Sequence, residues 1–178
     1  MTFPRRNAIF GGAILAASGV AILASSAQSQ GQPERPNRII GTWAPAAFEA
    51  MIDGKLVRPH GPAPTGSLIF TDNGRFSVIM NDPRLARFST EDRERVPDAE
   101  LLRAAKGHVS LYGTYTVGED GQFFRKILEG SSVPNWVGLR RGREVLTMNA
   151  NAAGDTITER FTNPPNGPPY SIIWKRVS

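Results

Sequence analysis

Six side chains in this sequence have the type and setting to meet a small molecule or move a proton: Tyr112, Tyr115, Lys126, Glu129, Trp136 and Arg140. Glu129 closes an apolar run beside Gly130. A carboxylate partly stripped of water there has a raised pKa and suits general acid–base work; a plainer alternative is an ion pair with an arginine such as Arg140. Tyr112 and Tyr115 lie three apart on a strand whose side chains alternate, so only one of them faces the interior. Trp136 follows Pro134-Asn135 at the start of a strand, where a rim aromatic either gates a cavity or caps it. Lys126 and Arg140 would meet an acidic head group, or else pack their stems and leave their charges in water.

Other chemistries lack their residues. The chain has no cysteine, which removes disulfides, thiolate nucleophiles and Cys-ligated zinc. His60 and His108 are far apart, with no partner at metal-ligand spacing, so no metal site is expected. No nucleophile elbow, phosphate loop or dinucleotide fingerprint occurs, and no cofactor is expected.

The first 27 residues read as an export signal to be set aside from the fold. Arg5-Arg6 precede an apolar run over 8–23, and Ser25-Ser26-Ala27 offers small residues for cleavage. The arginine pair followed by Asn7, Ala8 and Ile9 has twin-arginine form. An uncleaved anchor is the alternative, but 16 residues fall short of a bilayer span. The expectation is a bacterial periplasmic or secreted protein with no integral span after cleavage. Losing Arg5 and Arg6 leaves 19 basic residues against 16 acidic, a formal charge of +3. That balance, without a continuous basic stripe, argues against nucleic acid as a partner.

Positioning those side chains falls to short strands. Residues 28–37 form a polar linker, and 38–178 form one domain. With 18 glycines and 14 prolines, the chain suits strands joined by turns better than long helices. The first strand spans 38–50, with Pro45 marking an edge or a bend. Asp53-Gly54 makes a tight turn, and 57–66 is a Pro/Gly-rich loop carrying His60. Asp72-Asn73-Gly74 joins strands 67–71 and 75–80, because Asn-Gly tolerates positive φ. One short helix covers 98–106, started by Pro97-Asp98 and stopped by Gly107. Strands follow at 110–117, 122–129, 136–140, 143–149 and 156–162, with a turn at Arg141-Gly142. The closing strand, 170–177, has the character of the first, as a closed barrel requires.

Gly41-Thr42-Trp43 resembles the Gly-x-Trp of lipocalins, whose Trp closes the barrel base beneath an Arg from the last strand, here Arg176. A longer ordered set reinforces this: Arg58-Pro59-His60-Gly61-Pro62-Ala63-Pro64-Thr65-Gly66, Leu68-Ile69-Phe70-Thr71, Gly74-Arg75, Tyr112-Gly113-Thr114-Tyr115, Glu129-Gly130-Ser131, Pro134-Asn135-Trp136-Val137-Gly138 and Ile173-Trp174. Together these resemble the bacterial lipocalin-like domain family across nearly the whole mature chain. The resemblance implies an all-β fold, a lipocalin-like antiparallel up-and-down barrel of about eight to nine strands with one short helix. It also implies a space for a small organic ligand; similar barrels include carriers of apolar molecules and a few enzymes of natural-product cyclisation. Family members often carry histidine on the strand before Glu-Gly-Ser; here Arg125, Lys126 and Ile127 stand there, so a histidine-dependent role of that strand does not transfer.

The leading expectation is therefore an exported protein binding a small hydrophobic or amphipathic molecule, with Tyr112, Tyr115, Lys126, Trp136 and Arg140 at the lining or rim. An isomerising or cyclising enzyme with Glu129 or a tyrosine as acid–base, and a filled barrel acting through its surface, are the alternatives. A cavity above a few hundred Å³ is the feature that separates both ligand readings from the last.

Overall fold

A computed structural model describes residues 36–162 and 168–177, so the signal segment and most of the linker lie outside the described residues. Among these described residues, ten antiparallel strands form one sheet that curls into a nearly closed barrel. In chain order they are β1 (Gly41–Ile52), β2 (Lys55–Val57), β3 (Thr65–Phe70), β4 (Arg75–Asn81), β5 (His108–Val117), β6 (Phe123–Ser131), β7 (Arg140–Gly142), β8 (Leu146–Ala150), β9 (Thr156–Phe161) and β10 (Tyr170–Arg176). The helix α1 (Asp98–Lys106) precedes β5, and single 3₁₀ turns cover Arg93–Arg95 and Pro134–Trp136.

The strand order is β7-β6-β5-β4-β3-β1-β10-β9-β8, with β2 attached to the end of β1. First and last strands do pair: Trp43 faces Arg176, Phe48 faces Ile172 and Ala50 faces Tyr170. The ladder breaks between Pro45 and Ala47, where a bulge absorbs the proline. The opening in the sheet lies instead between β7 and β8, which are consecutive in sequence.

The tenth strand comes from the Asp53-Gly54 turn. Both residues have positive φ, 50° and 72°, the type I′ geometry whose twist matches paired strands. That turn folds Lys55–Val57 back onto the end of β1. Trp136 begins no strand. Proline at the first position of the 3₁₀ turn carries it across the rim, and the strand starts four residues later, so Arg141-Gly142 is paired with β6 rather than turning.

Side-chain alternation and the two shifts of register between β5 and β6 decide what faces inward. On β5, Leu111, Gly113 and Tyr115 are buried, while Tyr112 is exposed. On β6 the register shifts where Thr116 and Val117 meet Arg125 and Phe123, so Phe123, Lys126 and Leu128 are buried and Phe124 is not.

The two ends of the barrel differ. At one, Ile39, Trp43, Phe70, Phe76 and Phe123 pack into a solid plug. Arg176 lies 4.0 Å over the Trp43 ring and donates to the Ile40 carbonyl at 2.9 Å. Gly41 makes room for it, since a Cβ there would meet Arg176 Nη1. The Trp43 indole donates to Ile39 O, also at 2.9 Å, so its buried N–H is satisfied.

Candidate functional site

Beyond the plug the interior is hollow. A cavity of about 130 Å³, partly open at the rim, is lined by Val78 and Met80 of β4, Val109 and Leu111 of β5, Phe48 of β1, and Tyr170, Ile172 and Trp174 of β10. Its polar lining is His60, Lys126, Arg141 and Glu159, and Trp136 also contributes. The volume falls short of the few hundred Å³ that both ligand readings called for, because Trp43 and the phenylalanines of the plug fill the rest of the bore. It matches a cavity that takes a benzene-sized group. A longer molecule would leave its remainder outside the rim.

At the floor, Lys126 Nζ lies 3.6 Å from Glu159 Oε1, with both side chains almost fully buried. The other carboxylate oxygen accepts from the Trp174 indole at 2.9 Å. Burial pushes the Lys126 ammonium below its ordinary pKa and nearby Arg141 adds to this, while Glu159 opposes both.

His60 reaches the cavity from the loop between β2 and β3. It is only 7% exposed, its ring lies 5.2 Å from that of Phe48, and neither ring nitrogen has a hydrogen-bond partner among the described residues. Burial lowers its pKa against the pull of Asp82, so the imidazole is neutral near pH 7. Tyr170 stacks on Phe161 and edges against Phe48, and burial raises the pKa of its phenol.

Two of the six side chains singled out from sequence are in this lining, Lys126 and Trp136. Tyr115 does face inward, but towards the plugged end, where its hydroxyl donates to Thr71 O and accepts from Asn37. Tyr112 lies on the outer face against Gly130. Arg140 is exposed on the outside, because period two on β7 turns its neighbour Arg141 inward instead. Glu129 is also exterior and half exposed, and it is held by Arg75 rather than Arg140 through two hydrogen bonds of 2.9 and 2.7 Å.

Sequence reasoning missed His60, Arg141, Glu159 and Tyr170. Glu159 had a signal: Ile157, Glu159 and Phe161 alternate with polar residues, placing an acid on an apolar face. Arg141 sits on a three-residue strand, too short for alternation to show. His60 comes from a loop with no periodicity.

Chemically, the arrangement offers an apolar recess with stacked aromatics, one internal ion pair, a further guanidinium and a neutral imidazole. Among the described residues, no group of three or more His, Cys, Asp or Glu is placed to hold a metal. No helix among them is long and apolar enough to cross a membrane.

A search of curated proteins finds no match. The family model described as the lipocalin-like domain matches residues 40–177, from the start of the Gly-x-Trp strand to the end of the closing one. The chain belongs to the lipocalin-like domain family.

Proposed function

We propose that this is an exported protein that binds a small hydrophobic or amphipathic molecule in the open half of its barrel. The observation that carries the reading is His60. A buried ring with two polar nitrogens and no partner among the described residues costs free energy unless something in the cavity answers it. The lining around it is mostly aliphatic and aromatic with a few fixed polar groups, the usual make-up of a small-molecule site. The cavity volume limits the enclosed part of the ligand to about one ring or a short chain. Residues 1–27 have the charge and apolar pattern of an export signal, which supports a periplasmic or secreted location.

Native mass spectrometry of the protein purified without denaturation from a bacterial periplasm tests both parts. The expected result is a mature chain beginning at Gln28, together with a small-molecule mass shift that disappears on unfolding. A chain found only in the cytoplasm, with residues 1–27 retained, would overturn export. A bare polypeptide mass that also fails to bind single-ring probes would overturn binding.

A further inference from the structure

The β6–β7 ladder sets Lys126 directly opposite Arg141. Like charges facing each other across a strand pair are destabilising, more so inside a barrel than on its surface. Glu159 compensates one of them, at 3.6 Å from Lys126. The cavity lining thus holds two basic side chains against one carboxylate, and of the two only Lys126 is within ion-pair distance of it.

The one left unmatched is Arg141. Its guanidinium lies 4.9 Å from the centre of the Trp136 ring and 4.8 Å from that of Phe161. Among the described residues it forms no ion pair and no hydrogen bond. Aromatic contact holds the cation but gives its N–H groups no acceptor. A guanidinium does not shed its proton to escape such a position. What it lacks is an oxyanion, which its planar fork takes in two parallel bonds.

We propose that the ligand of this cavity is a small organic acid, its carboxylate held by Arg141 and its single ring or short chain lying against Phe48, Tyr170 and Ile172. The proposal rests on the reading above that the cavity binds a small molecule, and it names the class. A carboxylate on Arg141 gives each basic side chain of the lining an acid partner of its own. The aromatic contacts with Trp136 and Phe161 orient the fork before the ligand arrives, which reduces the entropy lost on binding.

Titration of the intrinsic tryptophan fluorescence with benzoate, benzyl alcohol and benzylamine tests it, on the wild type and on Arg141→Gln and Arg140→Gln. Benzoate is expected to bind the wild type at least about tenfold tighter than benzyl alcohol, and benzylamine weakest. In Arg141→Gln the benzoate advantage disappears while benzyl alcohol binds as before, which also reports that the variant is folded. Arg140→Gln, altered on the outer face, keeps the wild-type order. Benzyl alcohol or benzylamine binding the wild type as tightly as benzoate overturns the acid proposal and leaves small-molecule binding standing. Binding of none of the three overturns both. Should Arg141→Gln not fold, the wild-type order alone decides.

Discussion

Trp43 and Arg176 face one another across the first and last strands, and the guanidinium of the second lies 4.0 Å over the ring of the first. The contact ties the two ends of the domain and seals one end of the bore. Trp43→Ala should cost about 3–5 kcal/mol, the range for removing a fully buried aromatic ring. Arg176→Lys keeps the charge but loses the planar contact and the bond to Ile40 O, and should cost about 1 kcal/mol. Urea unfolding of both variants checks this. Equal, near-zero effects would mean that the plug does not hold the barrel.

The floor of the cavity should behave as a coupled pair. Glu159→Gln leaves Lys126 buried without a counter-charge and should cost about 3–5 kcal/mol, eased to the extent that the amine gives up its proton. Adding Lys126→Met to it should recover most of that loss. A double-mutant cycle by denaturant unfolding measures the coupling, and strict additivity would contradict the pairing.

Much of this fold is legible in the residues. The Asn73-Gly74 hairpin, the helix over Asp98–Lys106 and the pairing of the two Trp-bearing end strands all rest on local chemistry with a clear physical cause. The candidate site is less legible, because it depends on parity. A single shift of register on β6 decides that Phe123 rather than Phe124 is buried, and the late start of β7 decides that Arg141 rather than Arg140 faces in. Neither displacement has a signature in composition. The His60 loop has no periodicity that could reveal where its ring packs.

Glu129 offers a contrast with the floor. Its pair with Arg75 is on the outer face with both side chains 40% exposed or more, where ion pairs contribute little. Glu129→Gln should change stability by less than about 1 kcal/mol and leave binding of any cavity ligand unaltered. Binding titrations alongside thermal unfolding check both halves, and a lost ligand response would put this carboxylate back among the functional groups.

Acid should destabilise the fold before its carboxylates protonate. His60 is held neutral by burial, so its folded pKa lies below the ordinary 6.5. Below that pH the unfolded chain binds the extra proton first, and stability falls as pH drops, by at most about 1.4 kcal/mol per unit from this group. The depressed carboxyls of Asp82, Asp120 and Asp155 lose their contributions only below their ordinary 3.8. At the alkaline end, the raised phenols of Tyr170 and Tyr115 make the unfolded chain release protons first, so stability declines as pH climbs above 10. Unfolding free energies measured across pH should show a slope between pH 6.5 and 4 that His60→Phe removes; a slope unchanged in that variant would place its origin elsewhere.

The chain's three tryptophans divide between the two halves of the barrel, Trp43 in the plug and Trp136 and Trp174 at the cavity. Their indole N–H resonances therefore report on binding by position. On titration with a single-ring organic probe such as benzyl alcohol or benzoate, two-dimensional ¹H–¹⁵N spectra should show the Trp136 and Trp174 signals moving to saturation while Trp43 stays fixed. If all three remain still, or if Trp43 alone responds, the open half of the barrel is not a binding site.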